Sequence, residues 1–176
     1  MNILILNFNL SGFGGDVKQP ILIAKGLMEL GHNVMYVVPD GEGWYHDKNK
    51  SKEYTEMRKR LLNAKGKIIE IEGISVLPIH CVSEKLGFYC PDATKIAKEI
   101  LPNYDVVYCL HWYYHLGMTF FNVANNLGVP FIIAAMAAFE KPEHNLKKFR
   151  KNIIDFVYTK KLFKNAGGFH SVGDME

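Results

Sequence analysis

An α/β domain built on a doubly wound, mostly parallel, Rossmann-like sheet is predicted by two features of this chain. The first is a regular alternation of short runs that are apolar throughout with longer amphipathic segments, the pattern of parallel strands covered by helices on both faces. The second is the opening stretch, in which an apolar run from Asn2 leads straight into Gly12-Phe13-Gly14-Gly15 and then into a helical pattern. At 176 residues the chain suits one domain spanning residues 1–176, and a chain of that size buries roughly 70% of the surface its unfolded form exposes. Hydrophobic content of 48% with 22% charged residues excludes disorder and fibrous repeats.

Taken in order, residues 2–8 form a strand, 16–30 a helix closed by Gly31, and 33–38 the next strand, which makes one βαβ unit. Pro20 sits in or just past the first helical turn, where a missing N–H is tolerated. Residues 41–50 are loop by composition, 52–64 a charged helix, and 67–71 and 74–78 two short strands before an irregular stretch from His80 to Pro91. A helix runs from Pro91 or Asp92 to Leu101, a buried strand covers 104–110, and an amphipathic helix covers 114–126 with Gly128 ending it. A strand over 129–134, a long helix over 143–164 and a short strand over 168–172 complete a sheet of about six strands.

The glycine turn supplies the first candidate site. Unpaired backbone N–H groups and the positive end of the following helix dipole suit a phosphate or another anion, and the carboxyl edge of an open sheet is where ligands are met. A turn that is merely tight explains the same glycines. A dinucleotide fingerprint needs a third glycine at position 17, which is Val17, although Asp40 lies at the end of the second strand where a ribose-binding acid would stand. His111 follows the 104–110 strand at the same edge, placed either to hydrogen-bond or exchange a proton with a ligand or to cap the strand, and Trp112 comes next. His115 begins the polar stripe of the next helix and reads as solvated. His80, Cys81 and Cys90 match no common zinc spacing, so no metal is expected.

Charge and cysteine usage bound the partners. A net charge of +3 is too small for nucleic acid. From Lys141 to Lys164, however, eight Lys or Arg residues face two acids, so that segment carries +6 and the remainder −3. This reads as a solvated face or as a contact for an anionic membrane. Three cysteines form an odd count that suits a reducing compartment. The apolar N-terminus lacks a basic leader and reads as a strand and not as a signal peptide, so a cytoplasmic location is expected.

Several residues then line up together. Gly14-Gly15, Gly31-His32-x-Val34, a second strand ending in Pro39, Asp105-Val-Val107, Gly128-Val-Pro-Phe131 and Lys164-Asn-Ala166 leading to Ser171 and Glu176 occur in order. The ordered set resembles the N-terminal domain of family-four retaining glycosyltransferases of the GT-B fold. In such enzymes two Rossmann-like domains face each other across a cleft, the N-terminal one holding the acceptor and the C-terminal one the nucleotide-sugar donor. The resemblance covers only the first of these. It implies that the donor-binding domain is absent, that the chain alone is inactive, and that no cofactor is needed beyond the nucleotide sugar as co-substrate. It implies that Gly14 and Gly15 approach the donor phosphates and that His111 is the catalytic histidine, one residue beyond the family's His-x-His positions at Tyr108 and Leu110. Gly12, Trp112, His115 and Glu140 are the implied substrate-binding residues, and a sugar or lipid-linked acceptor the implied partner. The basic segment 141–164 resembles surfaces set against the inner face of a membrane. The alternative left open by the residues themselves is a stand-alone nucleotide- or dinucleotide-binding module.

Overall fold

The computed structural model describes residues 1–10, 15–41, 52–83, 88–134 and 158–171. Seven strands, β1 (Asn2–Leu6), β2 (Asn33–Pro39), β3 (Ile69–Ile71), β4 (Ile74–Ile79), β5 (Val106–Leu110), β6 (Phe131–Ala134) and β7 (Gly168–His170), form one sheet in the order β3-β4-β2-β1-β5-β6-β7. All neighbours pair in parallel except β3 and β4. Among the described residues the α-helices are α1 (Gly15–Glu29), α2 (Lys52–Ala64), α3 (Ala93–Ile100), α4 (His115–Leu127) and α5 (Lys160–Asn165).

Sheet alternation explains the two-sided core. Leu4 and Leu6 of β1, with Val107 and Cys109 of β5 and Ile133 of β6, pack on one face with Ala93 and Ala97 of α3 and Leu116, Phe120 and Phe121 of α4. Ile3 and Ile5, with Tyr36 and Val38 of β2 and Val106 of β5, face the other way with Ala24 of α1 and Leu61 of α2. Every residue of β1 after Asn2 is buried. A strand enclosed on both faces needs an unbroken apolar run, and Ile3-Leu4-Ile5-Leu6 supplies it.

Several element ends depart from expectation for local reasons. Among the described residues the sheet has seven strands where about six were expected, and 69–71 and 74–79, both expected as strands, pair as an antiparallel hairpin through Glu72 and Gly73 at its edge. The first strand stops at Leu6 because the Asn7 side chain takes over: Oδ1 accepts the Phe8 N–H at 2.8 Å and Nδ2 donates to the Asn9 carbonyl at 3.0 Å. Gly31 and Gly128 both sit at positive φ, 82° and 72°. There the next N–H reaches back to close the helix, His32 to Leu27 at 3.1 Å and Val129 to Ala124 at 2.9 Å, which delays the start of β6 to Phe131. Pro20 lies inside α1 and is buried. Of the long helix expected over 143–164, residues 143–157 lie outside the described residues and the end is helical as α5.

The strand order positions the site. The chain builds outward from β1 through β2 to β4, then returns to β5 on the other side of β1 and builds outward through β6 to β7. The carboxyl ends of β1 and β5 therefore flank the point where the winding reverses, which in open α/β sheets is where a crevice opens for a ligand.

Candidate functional site

Three segments meet above that point: the exit of β1, the exit of β5 and the residues just before α3. Asn7 is buried and its Nδ2 donates to the Tyr36 hydroxyl at 2.8 Å, so β2 holds the start of the turn that follows β1. Asn9 is buried as well. Side-chain hydrogen bonds of Asn7 thus fix residues 7–9 beside β2, while Phe8 and Leu10 are buried between and after the asparagines. Gly15 opens α1, placing a helix N-terminus at the carboxyl edge. Gly12, Gly14 and Glu140 lie outside the described residues.

His111 leaves β5 with φ 79°, a left-handed conformation that costs a residue bearing a Cβ about 1–3 kcal/mol. The turn is held by Gly117 in the first turns of α4, where an added Cβ would stand 3.1 Å from Trp112 Cα and 3.2 Å from Cys109 Sγ. The imidazole meets the Phe8 ring edge-on at 4.6 Å. Its Nε2 is sealed from water and, among the described residues, has no hydrogen-bond partner. Desolvation lowers its pKa from 6.5 to about 4. At neutral pH the ring is therefore uncharged. It has no extra proton to give as an acid, and it offers one nitrogen as donor and the other as acceptor.

Aromatic rings wall the site. Tyr114 stacks on Phe8 at 4.7 Å and 25°, and Phe88 meets Tyr114 edge-on at 5.3 Å. Phe88 also has positive φ, 57°. With Asn7, His111 and Gly117 these rings enclose a space of only about 10 Å³, the room of a single water.

Other expected site residues lie elsewhere. Trp112 is fully buried, stacked against Tyr113 at 4.8 Å and edge-on to Phe163 at 5.7 Å. It is a core residue beneath the site and does not face a substrate, because the turn after His111 carries it to the inner side of α4. His115 is half-buried and tied in: its Nδ1 accepts the Cys90 N–H at 3.4 Å, its ring meets Tyr89 edge-on at 4.7 Å, and partial desolvation lowers its pKa. Asp40 is buried with its carboxylate committed internally, Oδ1 accepting the Cys81 N–H at 2.8 Å and Oδ2 pairing with His80 Nδ1 at 3.3 Å. The dinucleotide reading thereby loses its ribose-binding acid, and Val17, buried, fills the place of the third glycine. Among the described residues no three His, Cys, Asp or Glu side chains are grouped to hold a metal ion. Nor, among these residues, is any helix long and apolar enough to cross a membrane.

Asn7, Phe8, Phe88 and Tyr114 were not singled out from the sequence. The signal for the asparagines was there: they interrupt the apolar run of β1 at alternate positions, 7 and 9, immediately before the glycines.

A two-sided, mostly parallel sheet with helices on both faces is a doubly wound, Rossmann-like α/β fold. No protein-family model matches the sequence, and no curated protein matches it. Among solved structures it is similar to MurG of Acinetobacter baumannii, a GT-B glycosyltransferase, with a TM-score of 0.54 and 17% identity. The similarity covers 98% of this chain and 41% of that one, so the chain spans less than half the length of MurG.

Proposed function

We propose that the chain is the acceptor-side, N-terminal domain of a glycosyltransferase that moves a sugar from a nucleotide-sugar donor to a hydroxyl acceptor, with the retention that the family-four resemblance implies. The observation that carries this reading is His111, a neutral imidazole held in a strained backbone at the winding reversal, with a buried nitrogen that has no protein partner among the described residues. A buried polar atom left unpaired costs about 1–3 kcal/mol unless a ligand satisfies it. A sugar hydroxyl, donor and acceptor at once, matches a neutral imidazole better than a phosphate does.

In this reading His111 orients a hydroxyl beside the reacting centre, and the Phe8–Tyr114 wall excludes water from it. The backbone N–H groups of Gly14 and Gly15, backed by the α1 dipole, stabilise the departing diphosphate, whose nucleotide is held by a second domain. Lys160, Lys161 and Lys164 are exposed on α5 while Leu162 is buried. That one-sided arrangement supports a contact between the 141–164 segment and an anionic membrane carrying a lipid-linked acceptor.

The test is a titration of the isotopically labelled chain with nucleotide sugars and with sugar acceptors, followed by NMR. The expected result is weak, millimolar binding with shifts at Asn7, Phe8, His111 and Gly117, and no transfer by the chain alone. Micromolar binding of a nucleotide or of NAD would replace this reading with the stand-alone module, and sugar transfer without a second domain would contradict the half-site.

A further inference from the structure

Beside the site lies a pair of cysteines that the transferase reading does not use. After β4 the chain returns on itself: the Val82 N–H donates to the Tyr89 carbonyl at 2.9 Å, and the Tyr89 N–H donates to the Ser83 carbonyl at 2.9 Å. Ser83 and Tyr89 form an antiparallel bridge. Two residues, Val82 and Ser83, thus face the single residue Tyr89, the two-against-one count of a β-bulge. One step further along this ribbon, Cys81 stands opposite Cys90. Residues opposed at such a non-hydrogen-bonded position have Cα atoms about 4.5 Å apart, inside the range of about 4.4–6.8 Å that a disulfide spans. The neighbouring Cys81 side chain and burial both push the Cys90 thiol's pKa up, in keeping with that opposition. Neither is in a disulfide; Cys81 is half-buried and Cys90 buried.

We propose that Cys81 and Cys90 are a redox modification site, a dithiol beside the ligand-facing edge that a hydroperoxide converts to an intramolecular disulfide. The Cys81 sulfur, the more accessible of the two, attacks a peroxide oxygen. The O–O bond breaks, water (or an alcohol) leaves and Cys81 becomes a sulfenic acid. The Cys90 sulfur then displaces the hydroxyl as a second water, the S–S bond forms, and the two electrons lost by the thiols are those gained by the peroxide. Cys90 cannot begin the sequence, since its thiol is held protonated by the neighbouring Cys81 side chain and by burial. Cys109 is buried under the sheet, paired in register with Leu6 and Ile133, and takes no part.

Oxidation changes the site wall. The Cys90 thiol donates to the Phe88 carbonyl at 3.2 Å, a bond that requires the thiol hydrogen and that a disulfide cannot make. Phe88 is the residue at φ 57° whose ring closes on Phe8 and Tyr114. The Cys90 N–H holds His115 as well. The oxidised state therefore releases Phe88 and shifts the rings beside His111. This inference stands on the cysteine geometry alone and is independent of which reaction the site serves.

The test uses the full chain, reduced and then exposed to hydrogen peroxide, with thiol counting, peptide mass mapping and aromatic NMR. Two of three thiols should disappear with a Cys81–Cys90 cross-linked peptide, and the Phe88 and Tyr114 ring signals should shift. Cys109→Ser should behave as wild type. Cys81→Ser should keep its Cys90 thiol and show no ring shift, and Cys90→Ser should accumulate a dimedone-trappable sulfenic acid at Cys81. Persistence of the Cys90 thiol in wild type, a bond to Cys109 or between chains, or irreversible over-oxidation of Cys81 would overturn the site. A disulfide that forms without moving the Phe88 ring signals would overturn its coupling to the wall.

Discussion

The two strand exits on either side of β1 handle polar groups in opposite ways. On the β2–β4 side, Asp40 is buried with both carboxylate oxygens engaged and its own N–H donated to the Ile79 carbonyl at 2.9 Å. On the β5 side, His111 has a left-handed backbone and a sealed Nε2 with no partner among the described residues. One exit is paired within the fold, and the other, among the described residues, holds a buried nitrogen without a partner. Strain and an unpaired buried atom together oppose folding by a few kcal/mol, and natural proteins retain such features where a ligand is met. The same edge of one sheet thus carries one polar group paired within the fold and one that the proposed function assigns to a ligand.

The largest expected effect breaks the comparison from below. Trp112→Ala removes a fully buried indole and should cost about 3–5 kcal/mol of stability, read by chemical denaturation. Were Trp112 a substrate residue, stability would hold and only binding would fall. Next, Gly117→Ala forces a methyl to within 3.1 Å of Trp112 Cα. It should destabilise by about 1–3 kcal/mol, with the His111 ring signals shifted in NMR spectra. The smallest effect belongs to the satisfied exit: His80→Ala removes a largely exposed partner of Asp40 and should cost below about 1 kcal/mol, since the Cys81 N–H remains to hold the carboxylate. A larger loss there would erase the contrast between the exits.

What the sequence revealed follows from the range of the forces involved. The helix expected over 52–64 is found at those residues, and Gly31 and Gly128 close their helices, because capping and apolar periodicity are local. Parallel, doubly covered strands were legible in Ile3 to Leu6 and Val106 to Leu110, which have no polar face to alternate. The antiparallel pairing of β3 was not, since a three-residue strand has too short a pattern to show its direction. The position of His111 at the end of β5 was legible because its place after an apolar run is local, whereas its desolvation depends on Phe8 and Tyr114 from other segments. Trp112 misled for the same reason: adjacency to His111 suggests the site, but one left-handed residue turns the next side chain into the core. Asp40 seemed available for a ribose until the return of β4 brought Cys81 and His80 to it.

His111 carries the proposed site as an uncharged hydrogen-bonding group with a desolvated ring nitrogen. With its folded pKa near 4 against an ordinary 6.5, the unfolded chain binds the extra proton first as pH falls. His111 should therefore contribute stability that is complete above pH 6.5 and is lost toward pH 4, at up to about 1.4 kcal/mol per pH unit. The direct measurement is an NMR titration of the His111 ring in the folded chain, assigned by comparison with His111→Asn. A midpoint near 4 is the predicted result, and a midpoint at the ordinary value of 6.5 would contradict it.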